Sequence, residues 1–124
     1  MIGIDIVSIE RIQKLQERFG DKALQKYLSQ EEILLVKNDS TAAGFYAAKE
    51  AISKALGLGI SSECSFFDIQ IHKDALNAPY FTLSQKLIDA YAITGTALSI
   101  THEGGFAIAV AVVEGKKSTR QLSH

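Results

Sequence analysis

At 124 residues, with 47% apolar and 22% charged residues, the chain has the length and balance of one soluble domain with a core of its own. Lys and Arg number 13 against 14 Asp and Glu, a net charge of −1, so bulk charge argues for neither a nucleic-acid nor a membrane-surface partner. Cys64 is the one cysteine, which excludes an intrachain disulfide framework and a Cys-based zinc site and leaves a packed or partly exposed thiol.

The first run, Met1 to Val7, alternates Ile2, Ile4 and Ile6 with Gly3, Asp5 and Val7, a period-two strand with one apolar face. It lacks the positive flank of a secretory leader and carries an acidic residue, so a cytoplasmic location is expected. Ser8 is placed to cap a helix that Gly20 ends. Ile9, Ile12 and Phe19 line one side of it, and Arg11, Lys14 and Arg18 share another, with Leu15 beside them. A short helix is expected from Asp21 to Tyr27. Ser29 and Glu32 then form a capping box for a helix from Gln30 to about Val36. After a polar break at Lys37 to Thr41, an alanine-rich helix is expected from Ala42 to Leu56, stopped by Gly57-Leu58-Gly59.

Phe66, Ile69 and Ile71 read as a strand. A turn at Asp74 to Ala78 leads to extended structure over Pro79 to Leu83, and Ser84 opens a helix to about Ile93 with Leu87, Ile88 and Tyr91 on one face. Ala97 to Thr101 and Phe106 to Val113 read as two strands joined by His102-Glu103-Gly104-Gly105. The order predicts an α+β fold, a mainly antiparallel sheet packed on one long helix plus shorter helices. One domain covers residues 1–114, and 115–124 is a polar tail expected to fray. The last strand is apolar at nearly every position, as a strand covered on both faces would be, and in so small a domain the second cover can be another subunit.

Asp5 is a carboxylate inside an apolar strand. It must face solvent, pair with a cation or bind a metal, because burying it unpaired costs several kcal/mol, roughly. On the long helix Tyr46, Glu50 and Lys54 fall at i, i+4 and i+8 and share a face, opposite Ala47, Ala48, Ala51 and Ala55. Glu50 and Lys54 alone would read as a surface ion pair, and Lys49, off the stripe, as a solvated lysine. Gly57 frees backbone amides near Lys54, which suits a phosphate, although a plain glycine cap is the commoner reading. Ser99-Ile100-Thr101-His102 leads into a Gly-Gly turn without a nucleophile elbow, so a hydrolytic triad is not expected. His102 is left as a ligand contact or a turn histidine.

Gly3-Ile4-Asp5-Ile6-Val7 and the run Ala43 to Gly57 resemble the N-terminal and central motifs of the holo-acyl-carrier-protein synthases. Phe67-Asp68-Ile69, Asn77-Ala78-Pro79-Tyr80 and Ser99 to His102 are similar to further blocks of that family, in the same order. The resemblance implies the 4′-phosphopantetheinyl transferase fold and a homotrimer with active sites at subunit interfaces. It also implies transfer of 4′-phosphopantetheine from coenzyme A to a serine of apo acyl carrier protein, in support of fatty acid biosynthesis. Asp5 and Glu50 match its Mg²⁺ ligands and Lys54 its lysine near the coenzyme A phosphates. Gly57, Pro79, Ser99, Thr101 and His102 fall in blocks that shape the nucleotide site. Arg11 matches a carrier-contacting position; Lys14, Leu15 and Arg18 extend that surface by their place on the same helix. Two positions depart from the pattern: Phe45, where relatives often carry Arg, and Glu103, where a small polar residue is common. The rival readings are a trimeric coenzyme A-binding module without catalysis and a metal-dependent hydrolase of nucleotide pyrophosphates.

Overall fold

The computed structural model describes residues 1–116; residues 117–124 of the expected polar tail lie outside the described residues. The chain opens with β1 (Ile2–Ser8), α1 (Ile9–Phe19), α2 (Asp21–Gln25), α3 (Gln30–Ile33) and α4 (Asp39–Ala55). A single 3-10 turn (Phe66–Asp68) leads into β2 (Ile69–Lys73), β3 (Pro79–Leu83), α5 (Gln85–Tyr91), β4 (Gly95–Glu103) and β5 (Phe106–Glu114). The strands form one three-stranded sheet in the order β1-β5-β4 and a separate β2-β3 pair, all antiparallel. The expected α+β class and long helix are present.

Boundaries move where caps act. Asn38 accepts the Thr41 N–H at 2.9 Å, so α4 begins at Asp39, inside the stretch expected to be a break. Ser65 and Asp68 form a reciprocal capping pair that holds Phe66 in the 3-10 turn rather than in the strand. α2, α3 and α5 are shorter than expected; α5 ends where Ala92 takes a left-handed conformation with φ 48°. β4 runs through Glu103 because Gly104 and Gly105, with φ 57° and 84°, make the two-residue turn by themselves.

Alternation decides which side of the sheet packs. Ala107, Ala109, Ala111 and Val113 of β5 are fully buried on the α4 side, and the β1 residues in register with the first three are Val7, Asp5 and Gly3. The isoleucine row of β1 therefore faces the other way: Ile2, Ile4 and Ile6 are 69%, 60% and 59% exposed. They lie in register with Val112, Val110 and Ile108. Among the described residues nothing covers this outer apolar face.

The inner face is close-packed because small residues meet there. A Cβ on Gly3 would overlap the Ala51 carbonyl oxygen and sit 2.6 Å from the Ala55 amide nitrogen. Gly3→Ala therefore forces β1 away from α4. A loss of about 1–3 kcal/mol is expected, read as a lower thermal midpoint. A variant as stable as the parent would mean that the two elements can separate freely.

Candidate active site

β1 and α4 bring three of the sequence-nominated residues together. Asp5 projects from the inner face of β1, two positions past Gly3. Its carboxylate accepts from Lys54 Nζ at 2.7 Å, and the same ammonium lies 3.4 Å from the Ile4 carbonyl. Lys54 thus pairs with Asp5 rather than making the within-helix pair with Glu50. Its ammonium is held above the ordinary lysine range by that hydrogen bond to Asp5, with the charges of Asp5 and Glu50 acting in the same direction.

Glu50 lies one turn before Lys54 and is partly buried. Burial, and then the negative charge of Asp5, raise its carboxyl above the usual range; Lys54, hydrogen bonding with Tyr46 and the charge of Arg11 draw it partly back. Tyr46, one turn earlier, is itself raised by burial and by Glu50. Its ring is fixed edge-on against Tyr27 at 5.0 Å and beside Phe66 at 5.7 Å. Two carboxylates that repel each other therefore lie close together, with Lys54 paired to one of them.

Arg11 reaches this electrostatic neighbourhood through a short path. Ser8 ends β1 and accepts the Arg11 N–H at 3.2 Å, so α1 starts directly beyond the Asp5 strand. Sequence reasoning placed Arg11 on a basic face but not beside Glu50; the Ser8 cap was the available signal. Arg11, Lys14, Leu15 and Arg18 do share one groove, about 450 Å³, with Ser8 and Glu10. Lys14 is ion-paired with Glu10 at 2.9 Å.

The other nominated residues lie elsewhere. Gly57 turns the chain at the end of α4 with φ 76° and donates to the Lys54 carbonyl at 2.9 Å, which is the glycine-cap reading. Pro79 opens β3 in the separate strand pair. Ser99 and Thr101 are in register with Val110 and Ile108, on the outer sheet face, opposite to Asp5. His102 has the opposite parity: its Nε2 is 3.1 Å from the Ser40 carbonyl at the start of α4. Glu103 is exposed on the outer face with Ser99 and Thr101. Phe45 is enclosed, with Lys73 Nζ 5.9 Å from its ring centre.

One expectation is overturned. Lys49 is not solvated but fully buried, paired with an equally buried Glu32 at 2.7 Å. It points about 100° around α4 from Glu50, where Glu32 of α3 and Phe66 of the 3-10 turn close over it. Cys64 is buried, and burial pushes its thiol up to about 11, which makes it an unreactive packing residue.

The donor set can be tested for a metal. Among the described residues no group of three or more His, Cys, Asp or Glu could hold an ion. That argues against a closed protein-only site such as structural zinc. Two hard carboxylates fit Mg²⁺, which keeps waters and takes further oxygens from a phosphate substrate. No helix among the described residues is long and apolar enough to cross a membrane.

Comparison with known proteins identifies the family. The family described as the 4′-phosphopantetheinyl transferase superfamily matches residues 1–111. A holo-[acyl-carrier-protein] synthase of Sulfurimonas denitrificans is 52% identical over 120 residues, covering 97% of this chain and 99% of that protein. One of Campylobacter curvus is 56% identical over 113 residues, covering 91% and 99%. The crystal structure of the Helicobacter pylori holo-[acyl-carrier-protein] synthase in complex with coenzyme A superposes with a TM-score of 0.89 at 53% identity, covering 92% of this chain and 100% of that one.

Proposed function

The chain belongs to the 4′-phosphopantetheinyl transferase superfamily, as a holo-[acyl-carrier-protein] synthase, and on that premise we propose its chemistry. It moves 4′-phosphopantetheine from coenzyme A to a serine hydroxyl of an apo acyl carrier protein. The serine oxygen forms a bond to the phosphorus that bears pantetheine. The bond to the nucleotide side breaks, and adenosine 3′,5′-bisphosphate leaves. The hydroxyl proton goes to a carboxylate or to solvent.

The observation that carries this reading is the pairing of Asp5 and Glu50 across β1 and α4 with Lys54 at 2.7 Å from Asp5. Asp5 and Glu50 would hold Mg²⁺ beside the pyrophosphate. Bound there, Mg²⁺ supplies Lewis-acid polarisation of the phosphoryl group and offsets charge on the leaving nucleotide. Lys54 orients a phosphate oxygen and stabilises the charge that develops on it. Gly57, Pro79, Ser99, Thr101 and His102, which do not gather around Asp5 within one chain, are the residues assigned to the nucleotide in the assembled enzyme. The test is the intact mass of apo carrier protein incubated with enzyme, coenzyme A and Mg²⁺. A phosphopantetheine adduct that disappears on chelation supports transfer. Free phosphopantetheine beside unmodified carrier would mean hydrolysis, and coenzyme A that is bound but unchanged would mean a binding module.

The outer sheet face supports a trimer. Ser99 and Thr101 face away from their own Asp5, so they can meet the same coenzyme A only across a subunit boundary. Ile4→Asp places a charge in the centre of that face. Because Ile4 is 60% exposed in the single chain, the variant is expected to fold and to sediment as a monomer with little activity. A variant that remains an active trimer would remove this interface.

Arg11, Lys14 and Arg18 form the surface for an acidic carrier helix, with Leu15 as its apolar contact. Arg18→Glu should raise KM for the carrier about tenfold at low salt, with KM for coenzyme A little changed. Arg11→Glu should raise it as well but also alter Mg²⁺-dependent turnover, because the Arg11 charge acts on Glu50. The difference should shrink as salt is added. A salt-independent effect would point to misfolding instead. A cytoplasmic location and a role in support of fatty acid biosynthesis belong to the same proposal.

A further inference from the structure

The Lys54 ammonium holds the Asp5 carboxylate in a direct ion pair. The contact is 2.7 Å, with the Lys54 side chain 51% exposed and that of Asp5 15% exposed. The lysine therefore stands on the solvent side of a mostly covered carboxylate, on a flexible four-carbon stem that can swing away. Its second contact, to the Ile4 carbonyl at 3.4 Å, is long for a hydrogen bond and offers little resistance. Glu50 is near enough for its charge to act on both residues.

Charge counting shows the consequence. Asp5 and Glu50 with Lys54 and the Arg11 guanidinium, whose charge reaches Glu50, sum to about zero. A divalent ion on the carboxylates turns that into about +2, and the ion and the Lys54 ammonium then compete for one Asp5. A pyrophosphate restores the balance and gives the ammonium a new partner.

We propose that Lys54 is a placeholder cation, holding Asp5 in the free enzyme and giving it up only as a divalent ion and a phosphate arrive together. This rests on the reading of Asp5 and Glu50 as a metal pair. Lys54 thereby sets the order of assembly: a divalent ion alone binds weakly, a pyrophosphate tightens it, and by linkage the ion tightens the pyrophosphate by the same factor.

Calorimetric titration without carrier protein tests this, because no turnover occurs. The probes are Mg²⁺ alone, coenzyme A alone and both together. Lys54→Met should bind Mg²⁺ alone about fivefold more tightly, as expected when an ion pair worth about 1 kcal/mol need not be broken. In that variant coenzyme A should tighten Mg²⁺ less than it does in the parent.

Lys54→Arg keeps the charge but grips a carboxylate with two donors, so Mg²⁺ alone should bind several-fold more weakly than in the parent. An arginine variant equal to the parent, beside a tighter methionine variant, would mean a diffuse charge effect and would overturn the placeholder role. Asp5→Asn separates the two ideas. If it abolishes Mg²⁺ binding while Lys54→Met binds no tighter than the parent, the placeholder fails and the metal site stands. If Mg²⁺ binding survives Asp5→Asn, the metal site itself falls and takes the placeholder with it.

Discussion

Asp5→Asn and Glu50→Gln each lower the rate of phosphopantetheine transfer at least about a thousandfold, close to 4 kcal/mol of lost transition-state stabilisation. Both substitutions keep side-chain volume and remove one negative charge. The unfolded chain is little affected, and neither residue is in the closed core: Asp5 is partly exposed and faces a half-exposed lysine. The thermal midpoint should therefore move by only a few degrees. The loss is electrostatic in origin. Glu50 is raised by burial and by Asp5, so the folded chain keeps two mutually repelling carboxylates at a cost to itself. That arrangement has value where a cation joins them. The rate is read from carrier mass against time at saturating coenzyme A, with Mg²⁺ varied. If either variant retains near-parental turnover with an unchanged Mg²⁺ requirement, that residue is not a metal ligand. If both variants unfold, the carboxylates are structural.

Local signals were legible in the sequence and long-range ones were not. The caps at Ser8 and Ser29, the Gly104-Gly105 turn and the alanine face of α4 each depend on neighbours within a few residues, and each appears in the structure. β1 was recognised as a strand, yet its row of isoleucines is not the side that packs on α4. Gly3 is the reason: only a residue without Cβ lets β1 approach the Ala51 carbonyl, so parity is set by the glycine and not by the apolar row. The Asp5–Lys54 pair joins residues 49 positions apart, which no periodicity reports. Motif resemblance brought Asp5, Glu50 and Lys54 together before the geometry did. Lys49 was misread for a related cause. Its helical position is next to an exposed stripe, but its partners come from three other segments, and burial of this kind is decided by tertiary packing.

Lys49→Met is the substitution expected to damage the fold most. The Lys49 ammonium donates to Glu32 Oε1 at 2.7 Å, to the Tyr27 carbonyl at 2.7 Å and to the Phe66 carbonyl at 2.9 Å. Glu32 in turn accepts from the Ser29 N–H at 2.8 Å and from the Ile71 N–H at 2.7 Å. The pair thus ties α3, α4, the segment after α2, the 3-10 turn and β2 to one point. Burial pushes the Lys49 ammonium below its ordinary value, and Glu32 opposes that push by hydrogen bond and charge. Methionine keeps the length of the stem but leaves a buried carboxylate without its cation, removes the ammonium from the Tyr27 carbonyl, and leaves the Phe66 carbonyl with the Ile69 N–H. Loss of one partner of a buried pair costs about 3–5 kcal/mol. In a domain of this size that lowers the thermal midpoint by roughly 10–20 °C. Lys49→Met combined with Glu32→Gln removes the orphaned charge and should recover part of the loss. The double-mutant cycle then isolates the coupling between the two side chains. A single Lys49→Met variant within about 1 kcal/mol of the parent in denaturant titration would show that the pair is not closed in solution. The two classes of variant should then separate cleanly: Asp5 and Glu50 lose rate and keep stability. Lys49 loses stability first, and its rate should fall only as the folded fraction does.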